Sequence, residues 1–249
     1  MGELQRDLQT QDRLIARVCR LIGARPARAA ILACVGLIAL LCGTLYLILR
    51  PPYYERQLAG GITLQQRGSY RAALDYFGRA IDSEPKRREA LYERARTLLL
   101  QGNPSAALPE FSRVAEESAD PRSAAYAGYC FNLTGNMSEA IPWYEIARDH
   151  GFETSGLHNN LGVSYATGRS QAGRLERLTR AQYHLERALE LDQSSPVVRG
   201  NLVMLALMQS DEDPTFKPVS AVAHLEFLLG AIPHSPRVMV DAVKLYSLL

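Results

Sequence analysis

Apolar positions follow two different rhythms along this chain. From Ala29 to Leu49 they are nearly continuous: 21 residues without a charge, eleven of them Leu, Ile or Val. As a helix that run is about 32 Å long, the thickness of a bilayer's hydrocarbon core. From Tyr54 onward the apolar residues come in stripes instead. Between Gly68 and Pro85, the residues Tyr70, Ala73, Leu74, Phe77, Ala80 and Ile81 recur at helical spacing and predict one amphipathic helix with a wide apolar face. Gly68 suits the tight turn before it, and Pro85 cannot extend it. Alanine at two of the stripe positions implies a neighbouring helix packed too close for anything larger. One helix cannot bury such a face alone, so the pattern should recur.

It does. Ala-x-x-x-Phe at Ala73/Phe77 returns as Ala107/Phe111, Ala140/Tyr144, Ala181/Leu185 and, more weakly, Ala221/Leu225. The alanines are spaced by 34, 33, 41 and 40 residues, which reads as a period of about 34 with two insertions. Gly68, Gly102 and Gly135 keep step, as do the small residues Gly61, Ala95, Gly128 and Gly162 on the preceding helix. The fourth unit contains His158-Asn-Asn-Leu161-Gly162-Val-Ser-Tyr165. On these residues the chain resembles the tetratricopeptide repeat family, whose pattern is W-x-x-L-G-x-x-Y, then A-x-x-x-F, then P. His158 stands at the tryptophan position and Gln193 at a closing proline. The resemblance implies an all-α, right-handed solenoid of helical hairpins with a concave peptide-binding face; the uncharged run ahead of it is expected to form one transmembrane helix. It implies no catalysis.

The expected organisation is a basic amphipathic segment over 1–28, a transmembrane helix over 29–49 and a repeat domain over 50–249. Its units run about 54–87, 88–120, 121–154, 155–195 and 196–235, with a terminal helix over 236–249. The insertions are expected near Gly168–Arg177 and Ser210–Ser220. In the first segment Leu4, Leu8, Gln11, Ile15, Val18 and Ile22 alternate by four and three, the spacing of a coiled-coil seam. That face fits an anionic membrane surface or self-association. The apolar face of the terminal helix is a second place for self-association.

Charge orients the span. Arg13, Arg17, Arg20, Arg25 and Arg28 precede it, and only Arg50 and Arg56 follow closely. The basic side stays cytoplasmic, so the repeats are expected outside the cytoplasm, in a periplasm or its equivalent. No small-residue cleavage site follows before Arg50-Pro51-Pro52, which points to an anchor that is retained. Net charge is +2, and acidic residues nearly balance basic ones beyond the span. The basic stripe of a nucleic-acid module is missing. Cys130 stands alone in the repeats, which leaves them no internal disulfide.

The five histidines lack metal-ligand spacing, and no phosphate loop, nucleophile elbow or kinase motif is present. No catalytic residue, metal site or cofactor is expected. Recognition is expected instead. In the fold that the chain resembles, the first helix of each pair lines the groove, and one place on it often carries asparagine that holds a ligand's backbone. That place falls on Ala59, Glu93, Tyr126, Asn160 and Asn201. An asparagine amide both donates and accepts, so it can pair with a peptide group whatever its side chain. Tyr92, Arg96, Arg122, Tyr129, Asn132 and Asn159 are expected nearby. Leu58 and Ile62 occupy two places that are basic in members clamping a carboxylate tail. The expected function is a membrane-tethered scaffold for protein or peptide partners. Alternatives are the anchor and sensor of a serine/threonine kinase-type signalling system, or an envelope-assembly factor holding exported clients.

Overall fold

The computed structural model describes Ala16, residues 26–169 and residues 173–249. The proposed seam over 4–22 lies outside the described residues, apart from Ala16. Two compact units are present, 1–52 and 53–249.

In the first unit, α1 runs Pro26–Leu49. Proline opens it, where a missing N–H costs nothing. Its Ala30–Leu47 stretch has a mean hydropathy of 2.4 and none of it is buried within the molecule. Thr44 Oγ1 donates to the Leu41 carbonyl at 2.9 Å, so the one hydroxyl on the threonine is satisfied inside the helix. This is a helix long and apolar enough to cross a membrane.

The second unit is built of helices, with no strand among the described residues. In order they are α2 Tyr53–Gln66, α3 Tyr70–Ser83, α4 Glu89–Leu100, α5 Pro104–Ser118, α6 Pro121–Leu133 and α7 Met137–Asp149. There follow α8 Ser155–Thr167, α9 Arg174–Leu191, α10 Pro196–Glu212, α11 Val219–Ala231 and α12 Pro236–Leu248. Each packs on the next. In addition α2 touches α4, α6 touches α8, α8 touches α10 and α10 touches α12. Contact with both the next helix and the next but one is what stacks hairpins into a solenoid.

The beat of the sequence has a direct steric cause. A Cβ on Gly61 would lie 2.5 Å from the Phe77 ring, and one on Gly128 would lie 2.9 Å from the Tyr144 ring. Within each hairpin, then, a small residue on the first helix seats a large side chain from the second. Ala73, Phe77, Ala107, Phe111, Ala140, Tyr144, Ala181, Leu185, Ala221 and Leu225 are all buried. Three of the turns inside hairpins are closed alike. Gly68, Gly102 and Gly135 have φ of +74°, +78° and +82°, and the N–H of the following residue bonds back to Leu64, Leu98 and Phe131 at 2.9, 3.0 and 2.9 Å. A left-handed residue with this bond is the Schellman stop. The starts of first helices are capped by side chains: Asp120, Thr154, Ser195 and Ser235 accept from Ser123, Leu157, Val198 and Val238.

The two stretches read as insertions are partly helical: α9 already begins at Arg174, and α10 continues to Glu212. Beyond it, Asp213 accepts from the Thr215 backbone and hydroxyl at 2.9 and 2.6 Å. At the C-terminal end α12 packs Val238 and Leu245 onto the cluster of Val203, Ala206 and Leu225. Val240, Val243 and Tyr246 stay exposed on it.

Candidate functional site: the groove of the first helices

The residues expected to line the groove fall into three groups. The first is a pocket of about 650 Å³ bounded by α2, α4, Val114 and Ser118 at the end of α5, and the start of α6. Leu58 and Ile62 come from α2, Tyr92 and Glu93 from α4, and Asp120 and Arg122 from the next unit. The run Lys86-Arg87-Arg88, at the connection into α4, completes the rim. Two of those arginines are already engaged. Arg87 meets Glu55 at 2.6 Å and lies over the Tyr54 ring at 4.0 Å, and Arg88 meets Glu117. Lys86 and Arg122 are the cations with exposed ends.

Tyr92 gives the pocket an aromatic face, which Phe111 and Tyr126 back from outside its lining. Tyr92 stands edge-on to Phe111 and Tyr126 at 5.8 and 6.0 Å, and Phe111 stacks on Tyr126 at 5.0 Å. Such contacts lock ring orientation. The Arg122 guanidinium sits 5.3 Å from the Tyr92 centroid, within cation–π range, and bonds Asp120 at 3.3 Å. Burial pushes the Tyr92 hydroxyl up to about 12, with neighbouring Tyr126 adding to it against Arg122, so this phenol is a neutral donor in the physiological range. Burial opposes ionisation of Asp120, but the Ser123 and Arg122 hydrogen bonds outweigh it and hold the carboxyl below its usual range. Glu93 is neutralised locally: Arg96 reaches it at 3.1 Å and the Gln65 amide at 3.3 Å. Arg96 therefore serves Glu93 and lines neither pocket.

The second group is a neutral cup of about 260 Å³, walled by Tyr126 and Tyr129 of α6, Tyr144 of α7, Phe152, and Leu157 and Asn160 of α8. Tyr129 is 39% exposed at its mouth, whereas Tyr144 is 1% exposed. The Tyr144 hydroxyl is buried without a well-formed hydrogen bond. Burial raises its pKa, and the facing Asn160 amide opposes that rise. Tyr126 packs behind the Tyr92 ring and lines the cup, one turn beyond Arg122, so the two pockets are neighbours along α6 that share no lining residue.

The third group is occupied with itself. Asn201 Nδ2 donates to Asn159 Oδ1 at 2.7 Å, and Asn159 Nδ2 donates to Asn160 Oδ1 at 3.3 Å. Asn132 accepts from Ser164 at 2.9 Å. This amide ladder ties α10 to α8, so Asn159 and Asn201 hold neighbouring units together, and Asn160 is the member that faces a cavity. Ala59 lines neither pocket. Spacing alone did not point to Lys86, Arg87 or Phe152, which sit at connections between units, or to Glu89, which opens α4; the basic run after Pro85 was the visible signal for the first two. Cys130 is fully buried, and burial pushes its thiol up to about 12, which makes it a small apolar residue. Among the described residues, no three His, Cys, Asp or Glu side chains are grouped to hold a metal.

A solenoid of helical hairpins with a grooved first-helix face defines the structural class. Comparison with known proteins shows what these repeats are similar to. The tetratricopeptide repeat family profile matches residues 58–124 and 101–151. Tetratricopeptide repeat protein 6 of Homo sapiens is 25% identical over 153 residues, 61% of this chain and 28% of that protein; the chain thus spans about a quarter of that relative's length. Among solved structures, MamA of Desulfovibrio magneticus RS-1 superposes with a TM-score of 0.63 at 16% identity, over 75% of this chain and 98% of that one. A tetratricopeptide repeat protein of Parabacteroides merdae gives 0.62 at 16%, over 79% and 73%. YrrB, described as a repeat protein with an unusual peptide-binding site, gives 0.61 at 12%, over 75% and 90%. These likenesses show the fold. This chain carries tetratricopeptide repeats, the architecture of a protein-interaction scaffold.

Proposed function

We propose that this protein is a non-catalytic, membrane-tethered scaffold that holds an extended protein segment along the face of its first helices. The observation that carries this reading is the pair of neighbouring pockets, one ending at Arg122 and the other beginning at Ala125 and Tyr126 of the same helix. One offers Lys86 and Arg122 beside Glu89 and Asp120 over the Tyr92 ring; the other is neutral and aromatic, with the Asn160 amide at its edge. A peptide with a charged stretch followed within a few residues by a bulky apolar side chain matches both. Burying one such side chain contributes roughly 1.5–3 kcal/mol, and the polar rim sets register. YrrB's described peptide-binding site supports the general mode. The apolar α1 supplies the tether, and the arginines ahead of it, with fewer behind, favour a cytoplasmic N-terminus and extracytoplasmic repeats. In this reading 1–28, 29–49 and 50–249 act as basic segment, anchor and binding domain.

The test is selection of a displayed random peptide library on the full chain in detergent micelles. Enriched peptides should pair charged residues with an adjacent aromatic or long aliphatic residue. Asn160→Ala should weaken a selected peptide by about tenfold, the size of one lost hydrogen bond, without changing the helical signal. Enrichment of sequences without an apolar residue, or affinity untouched by Asn160→Ala and by Tyr129→Ala, would remove the groove from the reading.

A further inference from the structure

The fourth hairpin holds something that neither the packing beat nor the groove accounts for. His158 of α8 and His184 of α9 meet edge to edge inside it, Nδ1 to Nδ1 at 3.0 Å, at 2% and 4% exposure. Their rings lie 5.3 Å apart. His184 is further enclosed by Tyr165, stacked at 5.7 Å with an interplanar angle of 2°, and by Tyr183 edge-on at 5.0 Å. At 3.0 Å two ring nitrogens share one proton: one must donate and the other accept. Two imidazolium rings would both carry hydrogen on Nδ1 and could not keep this contact. The pair is therefore stable as two neutral rings and has no closed arrangement for two charges.

Intermediate protonation is disfavoured as well. The Nε2 of His158 is buried without a partner, so a proton added there would sit as an unpaired buried cation. The charged groups that act on the pair come from α7, from the connection into α8 and from α9, while α10, which also packs on α8 and α9, contributes none among the described residues. Arg148 and Glu145 come from α7, Glu153 from the connection into α8, and Arg180 and Arg187 from α9. Glu145 is taken up by the Tyr165 hydroxyl, and Glu153 by Arg187 at 3.3 Å. Each arginine has a carboxylate partner, Arg148 with Asp149, Arg180 with Glu176 and Arg187 with Glu190, all at 2.8 Å. Burial is therefore the main obstacle to a positive charge on the pair, and the arginines add to it.

We propose that the His158–His184 contact is an acid-sensitive latch on the groove: taking up protons requires α8 and α9 to part, and parting displaces the Asn159–Asn160 segment that follows His158 directly. The regulatory half of this rests on the groove reading above; the latch itself does not. Burial, then the neighbouring His158, lowers His184 to about 4, and burial lowers His158 in the same direction. In the parted state the rings titrate near the ordinary value of about 6.5. Between those values the parted state binds more protons than the closed one, so falling pH favours parting and rising pH favours closure.

The experiment is hydrogen exchange on the full chain in detergent micelles at pH 7 and pH 5, corrected for intrinsic exchange, with no ligand present. The wild type should lose about tenfold of its protection in Leu157–Thr167 and Gln182–Leu191 at pH 5, while α4 and α5 keep theirs. His158→Phe with His184→Leu should abolish that local loss. If the double variant does not fold, His184→Gln replaces it, keeping a neutral partner for His158 while removing one titrating ring, and should at least halve the effect. Protection lost evenly over all helices, or lost locally to the same extent in the variants, would overturn the latch. Because no ligand is present, the result is independent of whether the groove binds peptides.

Discussion

Between α2 and α7 the hairpins close on aromatic rings, whereas between α8 and α11 they close on leucines. Gly61 seats Phe77, Ala95 packs with Phe111, and Gly128 seats Tyr144, while Gly162 seats Leu185. The ring hairpins turn on left-handed glycines. The leucine hairpins have longer connections, and the first of them buries polar side chains: the His158–His184 pair within it, with the amide ladder from Asn201 to Asn160 alongside. Ring packing is shape-driven and tolerates acid, salt and partner alike. Buried polar contacts depend on protonation and geometry, and are costly when half-made. The first half buries a polar contact too, Gln65 Nε2 donating to Thr97 Oγ1 at 2.8 Å, but neither side chain titrates, whereas the buried pair of the second half does.

Two substitutions sharpen that contrast. Phe111→Ala should have the largest effect, about 3–5 kcal/mol of stability, because the ring is fully buried and also props Tyr92 and Tyr126. Chemical denaturation followed by circular dichroism measures it; a loss under 1 kcal/mol would mean that these rings are not what holds the first half together. Asn159→Ala should cost less, about 1 kcal/mol, since Asn201 lies only half-buried and can turn to water. A loss as large as that of Phe111→Ala would erase the distinction between the halves.

The legible part of this architecture is the part set by local spacing. A small residue opposite a ring every 34 residues, a glycine at each tight turn and an uncharged run of 21 residues are all periodic or contiguous, and each maps onto one steric requirement. The groove was legible only as a face. Tyr92, Arg122, Tyr126, Tyr129 and Asn160 do line pockets, but Asn159 and Asn201 spend their amides on each other, 42 positions apart, which no helical register reveals. Arg96 likewise answers Glu93 one turn away. His158 marked a departure from the family pattern at the tryptophan place, yet its partner was hidden because His184 lies on another helix, beyond an insertion.

Whether partners are held by the first-helix face is decided by site-specific photo-crosslinking in the native membrane. A benzophenone amino acid replaces Tyr129, at the mouth of the neutral cup, and in a second variant Tyr183, an exposed side chain on second helix α9. Binding along that face predicts discrete protein adducts from position 129 that a selected groove peptide competes away, and none that compete from position 183. Adducts at 183 alone, or adducts at 129 indifferent to the peptide, would contradict it.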